Sequence, residues 1–206
     1  MPPDKEIRYF WERCFVGTLT LKEWINSDHW HVRGRRAFHK NRFRKHLSDL
    51  MSARVDVGDL RWDIKYLSRN RTDRWYSSLF NQNLVSGDIT AKYCELPEQE
   101  IISISQVFPD LRILITLRDP IEREWSRAKM NLSKKPQRVL DDVTEPEFID
   151  QFNDPPQKES NDYAALIDRW CTHFDREQVL VLFYDELLEN PFQYFSRLCD
   201  FLKITG

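Results

Sequence analysis

The sequence predicts an α/β protein, a three-layer fold in which a parallel sheet is flanked by helices. Two apolar runs, "RILITL" at residues 112–117 and "QVLVLFY" at 178–184, read as parallel strands buried on both faces. Segments with helical spacing or helix-start signals alternate with strand-like runs, the pattern of a parallel sheet covered on two sides. Ligands in such sheets bind beyond the carboxyl ends of the strands. Residues 6–10, 88–90, Arg118 and 184–185 are therefore expected on the functional rim.

The elements follow in order. "KEIRYFW" at 5–11 is rich in aromatic and β-branched types and reads as a short strand. "TLKE" at 20–23 is a capping-box pattern, so a short helix is expected after Thr20. Between 38 and 55, Phe38, Phe43, Leu47, Leu50 and Met51 fall at roughly helical spacing. Further helical segments are expected near 60–67 and 73–80. "LVSGDIT" at 84–90 reads as a strand running into a loop. Pro97 opens a helix, and Pro120 opens another behind the 112–117 strand. Residues 131–158 are polar and proline-marked, a long excursion with one short helix. Tyr163, Leu166, Ile167, Trp170 and Phe174 give a helix over 160–174, and a last helix runs over about 191–202. No internal repeat or domain boundary stands out, so residues 1–206 are read as one domain.

Composition narrows the classes. The chain has 206 residues, 41% of them hydrophobic and 13% aromatic, enough to fold around a sizeable core. A formal net charge of −2 says nothing of a polyanionic partner, so any anion site must be local. The four cysteines, Cys14, Cys94, Cys171 and Cys199, are scattered without metal-ligand spacing and read as free thiols. No apolar run reaches the roughly 18 residues a membrane span needs, and the first ten residues lack the apolar stretch of a signal peptide. The cysteine pattern leans towards a cytoplasmic setting, with a Golgi lumen left open.

"ITLRDPIEREWSRAKM" at 115–130 is the most informative stretch. Arg118 stands where the strand ends. Asp119 suits an N-cap, Pro120 the first helical position, and Glu122 the third position of a capping box. Ser126 lies seven residues after Asp119, about two helical turns, and so returns to nearly the same azimuth as the helix entry. A guanidinium and a hydroxyl converging there make an anion clamp, since arginine matches phosphate bidentately. The plainer alternative is that Arg118 pairs with a carboxylate such as Asp119 and that Ser126 is a surface residue.

"LITLRDPIEREWSRAKM" resembles the 3′-phosphate-binding segment of sulfotransferases, which use 3′-phosphoadenosine 5′-phosphosulfate (PAPS). In that family an Arg at a strand end and a Ser eight residues later hold the 3′-phosphate; Arg118 and Ser126 match both types and the spacing. "PPDKEIRYF", "WYSSLF", "SGDITAKY" and the 160–204 segment are similar to other family stretches, in the family's order. The resemblance covers most of the chain except about 12–70 and 131–158, and points to the glycan- and heparan-sulfate-type and bacterial branches. It implies a P-loop-NTPase-like fold, PAPS as co-substrate without a metal, and a hydroxyl or amine acceptor on a carbohydrate or small molecule. The family's Gly/Thr-rich phosphate loop would precede Met1, and its later basic segment would follow Gly206. With 5 glycines in all, no other stretch suits the loop, so the chain is read as truncated at both ends, with the first strand and phosphate loop missing. Such a chain is expected to be nearly inactive alone.

The resemblance also implies roles. Glu6 matches the general base of glycan-modifying members; the alternative is a salt-bridged surface glutamate paired with Lys5 or Arg8. Asp88 in "GDIT" matches an acidic position that flanks the acceptor, with loop capping as its alternative. Some members carry a Lys beside it, where this chain has Ile89. Lys5 faces substrate or solvent. Residues 29–46 carry seven Lys/Arg and no carboxylate. They form either a solvated helix face or a docking surface for an anionic acceptor, and no nucleic-acid motif accompanies them. Two rivals to the enzyme remain. One is a non-catalytic remnant that keeps only a 3′-phosphate site. The other is a phosphate-loop kinase, against which the lack of GxxxxGK[ST] counts.

Overall fold

The computed structural model describes residues 6–51, 56–81, 83–133, 143–153 and 161–204. The chain divides into two compact units, Met1–Glu100 and Ile101–Gly206. Among the described residues, no helix is long and apolar enough to cross a membrane.

The first unit is helical. It contains α1 (Tyr9–Phe15), α2 (Leu21–Asn26), α3 (Trp30–Met51), α4 (Val57–Leu67), α5 (Asp73–Ser78) and a 3-10 turn at Ala91–Glu95. Helix α2 begins as expected: Thr20 accepts from the Glu23 amide, and the Glu23 carboxylate accepts from the Thr20 amide at 2.8 Å.

The strand expected over 5–11 is instead the entry to α1. Arg8 adopts a left-handed conformation with φ 61°, which interrupts any extended run. Tyr9 and Phe10 turn into an aromatic cluster, where Phe10 lies 4.8 Å from Tyr76 and 5.6 Å from Tyr93, ring centre to ring centre. Tyr9 stacks on Tyr76 at 5.1 Å. Strand preference in an aromatic-rich stretch is a preference for half-buried packing, and here a helix supplies it. The strand expected over 84–90 is also absent: the segment has no regular structure. There the Asp88 side chain, rather than a strand ladder, takes up the backbone N–H of Ile7.

A buried guanidinium anchors this core. Arg71 sits 4.3, 4.4 and 4.1 Å from the ring centres of Trp24, Tyr66 and Trp75, and donates to the Tyr66 carbonyl. Burial pulls its pKa below the usual arginine value.

The basic segment on α3 divides by helical azimuth. Arg35 donates to the Glu6 carbonyl at 2.6 Å and Arg42 to the buried Asp63 at 2.9 Å. Arg36 donates to the Trp24 and Ser27 carbonyls at 2.8 and 3.1 Å, at the end of α2. Arg33, Lys40, Arg44 and Lys45 are exposed. Three of the seven cations thus hold the fold, which the spacing alone does not distinguish.

Helix α6 (Glu98–Val107) starts in the first unit and ends in the second. The second unit then runs β1 (Ile113–Leu117), α7 (Pro120–Leu132), α8 (Glu145–Phe152), α9 (Tyr163–His173), a 3-10 turn at Arg176–Gln178, β2 (Val179–Phe183), α10 (Tyr184–Glu189) and α11 (Pro191–Leu202). The two apolar runs pair in parallel, in register from Ile113↔Val179 to Leu117↔Phe183. Both lie in the same sheet, and the architecture is α/β. Gln178 donates to the carbonyls of Pro109 and Leu111 at 2.6 and 3.0 Å, fixing the approach to β1.

Burial on both faces is found in β2, where Val179 and Leu182 point to opposite faces and are both buried, and not in β1. Ile115 and Leu117 are buried, whereas Leu114 is 42% exposed and Phe183 50%. The described sheet has two strands, and side chains alternate between its faces, so in β1 the face of Ile115 and Leu117 is covered while Leu114 and Thr116 are open.

Candidate active site

In the second unit the parallel register sets Arg118, one residue past β1, beside Tyr184, one residue past β2. The Arg118 guanidinium lies 5.5 Å from the centre of the Tyr184 ring. Tyr163 on α9 donates its hydroxyl to the Arg118 carbonyl at 2.9 Å, pinning the backbone at the strand end. Asp119 caps α7, its carboxylate accepting from the Glu122 amide at 2.9 Å, and Pro120 takes the first helical turn. The Glu122 carboxylate turns to Arg118, at 3.3 and 3.1 Å from Nε and Nη2. The carboxylate that pairs with Arg118 is therefore Glu122, where sequence pointed to Asp119. Both side chains are largely solvated, 41% and 61% exposed, so the pair is loosely held. Ser126 is exposed on α7. Next to it Trp125 stacks on Phe148 of α8 at 4.9 Å, and Arg127 donates to the Gln151 carbonyl, which ties α8 to this helix.

In the first unit Glu6 and Asp88 share a neighbourhood. Glu6 is paired with Arg8, whose Nε donates at 3.0 Å, and its carbonyl takes the hydrogen bond from Arg35. The next residue, Ile7, donates its N–H to Asp88 at 3.0 Å. Asp88 also accepts from Thr90 at 2.7 Å, from Tyr76 at 3.3 Å and from Tyr93. Burial raises its pKa above the usual carboxylate range, against the opposing pull of the donors from Tyr93, Thr90, Ile7 and Tyr76. Asp88 thus gathers four points of the chain around one carboxylate. Lys5 lies outside the described residues.

Sequence reasoning did not name Tyr163, Tyr76 or Tyr93 at these sites. Tyr93 stands five residues after Asp88 in "SGDITAKY", a spacing that only the 3-10 turn closes. Tyr184 was legible, because parallel strand ends share one rim.

A model of the sulfotransferase family matches residues 21–205. The chain belongs to the sulfotransferase family. Among solved structures, this sulfotransferase chain is similar to a sulfotransferase from Alicyclobacillus acidocaldarius, with 27% identity and a TM-score of 0.51 over 68% of this chain and 60% of that one. It is also similar to the sulfotransferase domain from the curacin biosynthetic pathway, with 14% identity and a TM-score of 0.46 over 100% of this chain and 65% of that one. The chain therefore spans less than two thirds of the length of either structure. No curated protein matches it.

Proposed function

We propose that the protein is a PAPS-dependent sulfotransferase that moves a sulfuryl group to a hydroxyl or amine of an acceptor, a carbohydrate above all, with its two units acting as parts of one domain. The observation that carries this reading is the Arg118 corner, a guanidinium at a parallel strand end with a capped helix directly behind it, in a chain of the sulfotransferase family. Arg118 suits a phosphate. Among the described residues its only carboxylate partner is the exposed Glu122, which can swing away, while Tyr184 and the Tyr163 bond keep the arginine at the strand end. Arg118 and Ser126 would hold the 3′-phosphate of the nucleotide.

Transfer needs a base, charge stabilisation and in-line alignment. Glu6 would take the acceptor proton as the acceptor oxygen or nitrogen bonds to sulfur. The bond from sulfur to the 5′-phosphate oxygen breaks, and adenosine 3′,5′-bisphosphate leaves with that electron pair. Asp88 would fix the Glu6 segment through the Ile7 amide and flank the acceptor, and Lys5 would be a further acceptor-binding residue. No metal is called for in this scheme.

The test is transfer of labelled sulfate from PAPS to a panel of carbohydrate and small-molecule acceptors. Glu6→Gln should reduce turnover by roughly 100-fold or more, a general-base magnitude, while adenosine 3′,5′-bisphosphate binds as before. Turnover within a few-fold of the parent would remove Glu6 as base. The Glu6–Arg8 pair favours a second reading, a non-catalytic relative that retains the 3′-phosphate site. Nucleotide binding without transfer to any acceptor would select it.

A further inference from the structure

A cavity of about 490 Å³ opens in the first unit, lined by Gly58, Arg61, Trp62, Lys65 on α4 and by Ser78 to Asn81 at the end of α5. Its size falls within the range of small-molecule sites. None of the described lining residues carries a negative charge, while Arg61 and Lys65 are cationic. Arg61 is exposed and has no hydrogen bond or ion pair among the described residues. Lys65 donates one proton to the Ser78 carbonyl at 3.2 Å, which leaves two. Trp62 and Phe80 supply the apolar wall.

The walls are tied together. Trp62 Nε1 donates to the Leu79 carbonyl at 2.9 Å, and Trp75 Nε1 donates to the Lys65 carbonyl at 3.1 Å. With the Lys65–Ser78 bond, these link α4 to α5 and to the segment behind it. The cavity is therefore formed before any ligand arrives, which lowers the ordering cost of binding.

We propose that this cavity binds a small organic anion with a ring-shaped body, its sulfate or carboxylate on Arg61 and Lys65 and its ring against Trp62 and Phe80. An inorganic ion satisfies only the cations, and a neutral ring only the apolar wall. The site uses none of the residues assigned to sulfuryl transfer, so it stands whether or not that assignment holds.

The experiment is a titration of the ¹⁵N-labelled chain with 4-nitrophenyl sulfate, followed by amide shifts, beside sodium sulfate and 4-nitrophenol. Saturable shifts are expected at Gly58, Lys65 and Asn81. Arg61→Ala should weaken binding about ten-fold or more, as for loss of a charged hydrogen-bonding partner. Arg61→Lys should restore most of it, and Arg33→Ala, which removes an exposed charge on α3, should change nothing. Unaltered amide spectra elsewhere would show that the variants are folded. The proposal is overturned if Arg61→Ala binds like the parent, if Arg33→Ala weakens binding as much, if either control compound binds as tightly, or if the shifts do not saturate.

Discussion

Asp88 has two tasks open to it in sequence, flanking an acceptor and capping a loop, and its hydrogen bonds fit the second. Sequence resemblance singles it out, and the structure surrounds it with donors from Ile7, Thr90, Tyr76 and Tyr93. Asp88→Ala strands these groups, so a loss of about 2 kcal/mol or more is expected in urea denaturation at pH 7. The pH dependence follows from its raised pKa. The folded state holds the Asp88 proton more tightly than the unfolded chain, so this group's contribution is fully present below the unfolded carboxylate pKa. It is lost as pH rises through the higher folded value. Asp88→Asn does not titrate, so its stability relative to the parent should improve over that same rise. A difference between the two that stays constant, or that shifts in the parent's favour as pH rises, would contradict the direction. Cys14 offers a cleaner titration. Burial, reinforced by the adjacent Glu100, pushes its thiol up to about 12. Since the thiolate is the nucleophile, iodoacetamide should label Cys14 slowly at pH 8 by peptide mass spectrometry. Glu100→Gln should speed that labelling, and an unchanged rate would mean burial acts alone.

At the scale of elements, local signals read true where the chain supplies its own partners. Thr20 with Glu23 and Asp119 with Pro120 start α2 and α7 as their types require, because a cap involves atoms three residues apart. Elements decided by distant packing were not legible. The aromatic stretch around Tyr9 and Phe10 fits either a strand or a helix. Only Trp75, Tyr76 and Tyr93, more than sixty residues on, decide for α1. Likewise the runs at β1 and β2 were read correctly as a parallel pair, while the exposure of Leu114 depends on what covers each face. The cap on α7 gives a measurable consequence. Asp119→Ala removes the acceptor for the Glu122 amide and should cost about 1 kcal/mol. Asp119→Asn should restore most of that in a denaturation series. If Ala and Asn behave alike, the cap contributes little and Pro120 alone sets the helix start.

Over the whole molecule a net charge of −2 leaves little long-range attraction for an anionic nucleotide. In the function proposed above, binding comes from local groups at the Arg118 corner, where the pairing with Glu122 is solvent-screened and replaceable. The strand end, the capped helix and the Arg–Ser spacing were legible in sequence. The Glu122 pairing and the Tyr163 anchor were not, because they depend on side-chain rotamers and on a helix 45 residues away. A ligand bound only by the native state raises global stability by mass action, by about 2.7 kcal/mol at a hundred-fold excess over its Kd. At roughly 2–4 °C per kcal/mol for chains of this size, adenosine 3′,5′-bisphosphate should raise the melting temperature of the chain by about 5–10 °C. Arg118→Ala should remove most of that shift at the same ligand concentration, since it deletes the charged partner of the phosphate. Glu6→Gln should keep it, because proton abstraction plays no part in holding the nucleotide. A shift that survives Arg118→Ala intact would move the phosphate to another part of the chain and leave the Arg118–Glu122 pair as a surface ion pair alone.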